Sequence, residues 1–589
     1  MVEKIKQISV NKRDVVIIIA TTFFILVYAP LEIIVTNIDE FWFELSSAIA
    51  ICGSVFIILS TFLYLWFAFV KNERLLGVMR VILLCILLSS FLQGDFLNID
   101  FGVLNGADIE WRNYTGRMVL DIAIWALVLI VAIFLYLKHM KLFQDIQFAS
   151  AVLILGISVI TLSVLVFQCR ESRNTNGKSV VLSNEGLFNT TCNDNIVVFV
   201  LDMFDSDYMT QLLENKPEMY GELDGFVFFD NYSGTYSTTK YSMPHLFTGA
   251  MFNNFDSFDN MMQSVSEQKI YVDLLTENGY NSYYYSDYNS FFFNRLIYTA
   301  KNKYIGECEI SSYPQLALRI YQLAGIKYLP NCFKPFIMMD GTEFEEVKDC
   351  DGAELYVSKN SYLKEKLPKK LYVTDEKAIR YIYMEGTHYP YQTNKSGDKQ
   401  LFGNITSVEC AEGVLSIVQS YIQKLKAAGT YDNTAIVITA DHGYYWDGTL
   451  RSPVMMVKPI NSNGELMVSH APTCQNDFAA TILDLASIDY EEFGNSVFDI
   501  SENENRERFF YQYNMSDGDN NGNYRLIEYS IDSSGTDWDD FKLTNTDITE
   551  NGNYVSHRDN CETCQNNMQV MYDKDYPRLK HEKSKNYPE

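Results

Sequence analysis

Four short stretches carry side chains able to hold a cation and move a phosphoryl group. In the first, the apolar run Asn195-Ile-Val-Val-Phe-Val-Leu201 is followed by Asp202. Such a run reads as a buried parallel strand, which delivers the next carboxylate to the carboxyl edge of its sheet. In the second, Ser237-Thr-Thr-Lys-Tyr-Ser-Met-Pro-His245, hydroxyls stand at the entry of a helix. There, free N–H groups and the dipole favour negative charge. The third is Glu385-Gly-Thr-His388 after the strand Ala378–Met384, and the fourth is Asp441-His442-Gly443 after the strand Ala435–Ala440.

Asp202, Asp441, His442 and the Thr239 oxygen would form a four-ligand N/O shell. Such a shell suits one divalent ion, Mn²⁺ or Zn²⁺, rather than a thiolate-seeking metal. The ion would lower the pKa of the Thr239 hydroxyl and make it a nucleophile toward phosphorus. His388 would hydrogen-bond the phosphoryl oxygens or protonate the leaving alkoxide. Singly, each stretch fits an ordinary strand or polar loop. As an ordered set, in a chain with only seven His, they point to one site.

The elements that position these residues follow from the pattern around them. From Asn195 the chain alternates strand and helix, as in a doubly wound α/β sheet. Helices are expected over Val272–Asn278, over Val408–Ala428 with Ser407 as N-cap and Gly429 as stop, and over Asp477–Ala486. Further strands are expected over Ser282–Ser286 and Val454–Lys458. Sites in open α/β sheets gather at the carboxyl ends of strands, where Asp202, His388, Asp441 and His442 all fall.

Composition divides the chain of 589 residues. Up to about residue 169 it reads as a membrane domain with five spans, near 15–35, 46–70, 81–97, 118–137 and 149–168, the third being the shortest. The first span has neither the length nor the cleavage site of a signal peptide. Lys4, Lys6, Lys12 and Arg13, then Lys71, Arg74 and Arg80, then Lys138 and Lys141, all fall on one side, which the positive-inside rule makes cytoplasmic. Everything after Gln168 is then extracytoplasmic, in a bacterial-type envelope. Residues 170–194 read as a linker, 195–505 as the catalytic domain, and 506–589 as a small antiparallel β subdomain (Phe509–Asn514, Tyr524–Ile531, Phe541–Leu543) with a loose polar tail from His557.

The net charge of −27 argues against nucleic acid, whose phosphates need a basic footprint. Of eleven Cys, two lie in membrane spans, and some of the others are expected in disulfides of unknown pairing. Cys561-Glu-Thr-Cys564 has no second Cys/His pair at zinc-ligand spacing, so a local disulfide or free thiols are expected. The aromatic stretch Tyr280–Tyr298 reads as packing rather than as an acceptor groove.

These motifs resemble the alkaline phosphatase/sulfatase superfamily, and in particular its membrane-anchored branch of lipoteichoic acid synthases and lipid A phosphoethanolamine transferases. The resemblance covers the five-span layout and about Asn195–Ile488. It implies that Asp202, Asp441 and His442 are metal ligands. It implies that Thr239, within Thr-Lys-Tyr-Ser-Met-Pro244, is the nucleophile, and that His388, within Thr-His-Tyr-Pro, binds substrate. Thr248-Gly249 matches the Thr-Gly that closes the sulfatase signature. Many transferases of the branch have Glu where Asp202 stands. No Cys-x-Pro-x-Arg or Ser-x-Pro-x-Arg is present, which disfavours formylglycine-dependent sulfate hydrolysis. His470 is offset from the transferases' second His, His245 reads as structural, Lys240 as solvated, and Thr238 as the alternative nucleophile one residue away.

The implied activity is a metal-dependent phosphotransferase at the outer membrane face. It would move a phosphoglycerol- or phosphoethanolamine-type group from a lipid donor, through a phosphothreonine, to a surface glycan or lipid. A membrane-anchored phosphate or sulfate ester hydrolase, and a non-catalytic sulfatase-like surface protein, are the alternatives.

Overall fold

The computed structural model describes residues 10–38, 41–99, 111–172, 179–251, 265, 268–287, 299–306, 308–339, 342–350, 352–400, 405–443, 452–515, 524–533, 541–550 and 553–558. The expected tail beyond Arg558, with Cys561 and Cys564, and most of the aromatic stretch up to Tyr298 lie outside them. The chain divides into two compact units. One joins Met1–Ser179 to Gly306–Gly352, and the other joins Val180–Ile305 to Ala353–Glu589.

Among the described residues of the first unit, five helices are long and apolar enough to cross a membrane: α1 (Lys12–Thr36), α2 (Leu45–Phe69), α3 (Glu73–Leu97), α4 (Thr115–Lys138) and α5 (Met140–Gln168). Helix α3 begins eight residues before the expected third span. The Arg80 guanidinium that hid this start is held by Asp14 through two bonds of 2.8 Å. A bidentate pair of this kind masks both charges.

Gly306–Gly352 belongs to this same unit, a correction to the expectation of one uninterrupted catalytic domain over 195–505. Its ends are joined by a disulfide between Cys308 and Cys350, next to a short antiparallel pairing of Glu309–Ile310 with Lys348–Asp349. Its helix Tyr313–Tyr328 starts on Ser312, whose hydroxyl caps Gln315 N–H, with Pro314 in the first turn, both standard helix-start features. Leu316 and Ile320 face inward. Cys52, Cys85, Cys192, Cys332, Cys410 and Cys474 are free thiols.

The second unit is built on a seven-stranded mixed sheet, with strands β1 (Asn195–Leu201), β2 (Val227–Phe229), β3 (Asn281–Tyr285), β4 (Ala378–Met384), β5 (Thr434–Thr439), β6 (Met455–Lys458) and β7 (Met467–Ser469). Their spatial order is β7-β2-β6-β5-β1-β4-β3. β1 is central and parallel to both neighbours, with Leu201 level with Met384 and Val200 with Thr439. β6 runs antiparallel to β5. Every residue of β1 is buried, because helices cover both faces.

Strand alternation sorts the side chains. Ile196, Val198 and Val200 pack with Met243 and Leu246 of α7 (Thr239–Thr248) and Ile482 of α9 (Phe478–Leu485). Val197, Phe199 and Leu201 pack with Leu212 of α6 (Ser206–Asn215) and with Val414, Val418 and Ile422 of α8 (Ser407–Ala428). Fully burying each such side chain stabilises by roughly 1.5–3 kcal/mol.

Helix α8 is capped by Thr406, not by Ser407. Thr406 and Glu409 form a reciprocal capping box, and Gly429 ends the helix in the left-handed region at φ 72°, as glycine allows. The expected linker is partly ordered: α5's helix runs on to Ser172, and Ser179–Leu182 and Asn189–Thr191 are strands. The final sheet has four antiparallel strands, β8 (Arg508–Met515), β9 (Tyr524–Ile531), β10 (Lys542–Glu550) and β11 (Asn553–Arg558). His557 and Arg558 therefore belong to a strand rather than to the loose tail.

Candidate active site

Because β1, β4 and β5 are parallel neighbours in near-equal register, the residues after them emerge at one edge. Asp202 follows β1, with its N–H bonded to the carbonyl of Met384 at 3.0 Å. Asp441 and His442 follow β5. All three are buried, and one ligating atom from each lies within 4.8 Å of the others.

The hydrogen bonds orient these groups. Tyr383, the next-to-last residue of β4, donates its phenol to Asp202 Oδ2 at 2.6 Å. Asp441 Oδ1 accepts the N–H of Met203 at 3.2 Å and of His442 at 2.9 Å. The remaining oxygens, Asp202 Oδ1 and Asp441 Oδ2, are buried without a hydrogen-bond partner. They lie 3.8 and 3.5 Å from His442 Nε2. The other ring nitrogen, Nδ1, lies 2.9 Å from the carbonyl of Gly443. A carbonyl only accepts, so Nδ1 carries the proton and Nε2 presents its lone pair to the same point.

Two orphaned carboxylate oxygens and an imidazole lone pair, sharing one buried point, fit a divalent cation with N/O preference. Burial and the charge of Asp441 push the Asp202 carboxyl well above the usual carboxylate range, a cost that a cation between them would offset.

Thr239 is the first residue of α7, after Thr238, whose carbonyl starts the helix by accepting from Tyr241 and Ser242. The Thr239 hydroxyl lies 3.3 Å from His442 Nε2, so of the two neighbouring threonines Thr239 is the one turned to the cluster. Lys240 is exposed. His245 is buried, with Nδ1 2.8 Å from the Ala250 carbonyl, in keeping with a structural role.

The loop after β4 passes against Asp202. Thr387 N–H donates to the Asp202 carbonyl at 2.8 Å, and its hydroxyl to the Met203 carbonyl at 2.7 Å. This holds Met203 at φ 55°, a conformation non-glycine residues seldom adopt. Gly386, at φ 59°, could not carry a Cβ, which would stand 2.3 Å from the Asp202 carbonyl oxygen. His388 lies on this loop, half-buried, with Nδ1 2.6 Å from the Tyr389 carbonyl. It stands outside the three-residue cluster. His470 is exposed and paired with Asp230 at 2.8 Å, so it belongs to a different surface.

Three residues not singled out by the sequence support the site. Tyr383 orients Asp202. Gln475 bridges two elements by donating to the Ala440 carbonyl and accepting from Thr235 N–H. Asn360 clamps Gly386 from both sides, through its N–H and its carbonyl. Only Tyr383 left a signal, as a phenol one position from the end of a buried strand.

A mixed sheet between helices, with these acidic, imidazole and hydroxyl groups at the carboxyl edge of its parallel strands, is the part of the chain on which the family match falls. The sulfatase family model matches residues 194–488, half of the chain, and the protein belongs to that family. Among solved structures, it is similar to an alkaline phosphatase superfamily protein from Vibrio parahaemolyticus, at 12% identity over 66% of this chain and 86% of that one, with a TM-score of 0.35. It is also similar to the lipoteichoic acid synthase LtaP from Listeria monocytogenes, at 12% identity over 58% and 86%, with a TM-score of 0.32. No curated protein matches the sequence.

Proposed function

We propose that the protein is a phosphotransferase working at the outer face of a membrane, with Thr239 as its nucleophile. The observation that carries this reading is the Thr239 hydroxyl at a helix start, 3.3 Å from His442 Nε2, beside two carboxylates with unpaired inward oxygens. Asp202, Asp441 and His442 would hold one Mn²⁺ or Zn²⁺ together with the Thr239 oxygen. Bound there, the ion would supply Lewis acidity that lowers the hydroxyl pKa and offsets phosphoryl charge.

Thr239 oxygen attacks phosphorus and releases its proton to solvent. The bond from phosphorus to the diacylglycerol oxygen breaks, and the leaving alkoxide takes a proton. This leaves a phosphodiester on Thr239, carrying the alcohol of the head group. An acceptor hydroxyl on a surface glycan or lipid then attacks the same phosphorus, and the Thr239–phosphorus bond breaks. The dipole of α7, whose N-terminus carries Thr239, would favour an anionic phosphate there. His388, whose Nδ1–H is tied to the Tyr389 carbonyl, would donate from Nε2 to a phosphoryl oxygen or the leaving oxygen only as the imidazolium, in which both ring nitrogens carry protons. The five apolar helices support a lipid donor, since a tethered catalytic unit can reach head groups without extracting the lipid.

The test is to incubate full-length protein, with Mn²⁺ or Zn²⁺, with fluorescent phosphatidylglycerol and phosphatidylethanolamine, alongside Thr239→Ala. Release of diacylglycerol that depends on Thr239, with the phospho-alcohol found on Thr239 by mass spectrometry, supports transfer and names the donor. No release from either lipid, with Thr239-dependent cleavage of a soluble aryl phosphate, replaces it with a hydrolase.

A further inference from the structure

Gly306–Gly352 lies far along the chain from the five apolar helices, yet it folds into their unit. Its bonds to them are specific. Lys327 Nζ sits 2.8 and 2.9 Å from the two oxygens of Glu32 in α1, and Tyr328 donates to the same carboxylate at 3.2 Å. The Asn331 backbone N–H donates to Asp121 in α4 at 3.1 Å, and its side chain bonds the same oxygen. Lys334 Nζ reaches Asn98 Oδ1 at 2.6 Å. Trp42, in the connection between α1 and α2, donates to the Phe344 carbonyl at 2.8 Å. All these contacts fall toward one end of the bundle, the end opposite Lys12, Arg13, Lys71, Lys138 and Lys141.

The depth of the contact is informative. Tyr321 donates to the carbonyl of Leu26 at 3.1 Å, ten residues before the end of α1 at Thr36. At 1.5 Å rise per residue this is about 15 Å inside the helix end, roughly half the thickness of a hydrocarbon core. Tyr328 stacks edge-on against Phe24, with ring centroids 5.5 Å apart. Gly94 of α3 leaves the space for it, since a Cβ there would stand 2.2 Å from the Tyr328 ring.

The outward side of the segment is apolar. Asn331–Phe336 is a 3₁₀ helix, in which residues three apart share a side. Asn331 and Lys334 are buried against α4 and Asn98, whereas Phe333 and Phe336 are 53% and 82% exposed. Leu318, Leu329 and Tyr313 are exposed as well. Large aromatic side chains concentrated on one short segment mark an interaction surface rather than scattered exposure. The helices of the same unit are apolar and exposed as well, at Ile57, Ile58 and Phe62 of α2 and Phe134 of α4.

We infer that Gly306–Gly352 is a membrane-embedded insertion, with Leu329, Phe333 and Phe336 seated among the acyl chains and head groups of the bilayer. The partly buried Lys327–Glu32 ion pair and the Asn331–Asp121 bonds fasten its polar side to the spans, and its aromatic side meets lipid. Phe333 and Phe336 flank Lys334, which is bonded to Asn98 just beyond the end of α3, and aromatic rings at a helix end suit the amphipathic boundary between water and hydrocarbon.

The test uses the full chain in vesicles of phosphatidylethanolamine and phosphatidylglycerol doped with a phospholipid bearing a photoactivatable acyl chain. After irradiation and proteolysis, mass spectrometry maps the lipid adducts. Adducts on the peptide containing Phe333 and Phe336 are expected at a yield comparable with those on α2. They should fall at least tenfold in Phe333→Asp/Phe336→Asp, whose α2 labelling stays unchanged and reports an intact membrane unit. Adducts confined to residues 12–168, with none on the segment, would overturn the inference.

Discussion

Tyr383 gives its phenol proton to Oδ2 of Asp202 at 2.6 Å, and this single bond decides which oxygen of Asp202 is left to face Asp441 and His442. Groups that orient metal ligands in this way typically change metal affinity by roughly 10–100-fold when removed. Tyr383→Phe is therefore expected to bind Mn²⁺ or Zn²⁺ about tenfold or more weakly by calorimetric titration. Activity should return at high metal concentration. An unchanged affinity would show that the phenol serves packing alone.

Thr239→Ala should lower turnover by about 10³-fold or more, the scale expected when a covalent nucleophile is lost, while metal still binds through Asp202, Asp441 and His442. Thr238→Ala, which removes a hydroxyl but keeps the carbonyl that starts α7, should stay within about tenfold of the parent. Intact-mass measurement after mixing with donor lipid separates the two, since only the Thr238 variant should gain the adduct.

Gly386→Ala tests how closely the loop after β4 must approach Asp202. The new methyl would press on the Asp202 backbone, at a φ disfavoured for alanine. A destabilisation of about 2–4 kcal/mol follows from strain of this kind, read as a shift of the unfolding midpoint in denaturant. Chelation should shrink the difference between variant and parent, because the displaced Asp202 can no longer serve the metal.

His470 is exposed, and its pairing with Asp230 raises its pKa above 6.5. A group whose folded pKa is raised contributes stability that is full below the unfolded pKa and is lost as pH rises through the folded one. That contribution is therefore expected in full below about pH 6.5 and to fall away as pH rises through the raised folded pKa, and it should be small because solvent screens the pair. By NMR, Asp230→Asn should return His470 to the ordinary histidine range. His470→Ala should leave turnover within about twofold, which would exclude this histidine from catalysis.

What could be read from the sequence was local. Asp202, Asp441 and His442 each follow a β-branched run that ends abruptly, and Thr239 opens a helix, so each position is fixed by a few neighbouring residues. Their convergence then follows from parallel strands in register. Asn360 and Gln475 carried no such mark, because their roles lie in bonds to Gly386 and Ala440 across loops that only the fold brings together. The start of α3 was obscured for a related reason. Glu73, Arg74 and Arg80 look forbidding in a span until Asp14, 66 residues from Arg80, is seen to neutralise it. The largest shortfall was Gly306–Gly352, whose polar pairs with Glu32 and Asp121 involve partners 295 and 210 residues apart.

Those long separations set a schedule for biosynthesis. Glu32 and Asp121 enter the membrane with the first helices, but Lys327 and Asn331 have not yet been translated. At about 5–20 residues per second, Glu32 waits roughly 15–60 s for its counter-ion. Until the ribosome has passed Gly352, the nascent helical bundle is an unfinished product, and quality-control proteases that survey the membrane would meet it as such. A chain stopped after α5 would keep both carboxylates without these partners and should turn over faster than the full-length protein in pulse–chase labelling.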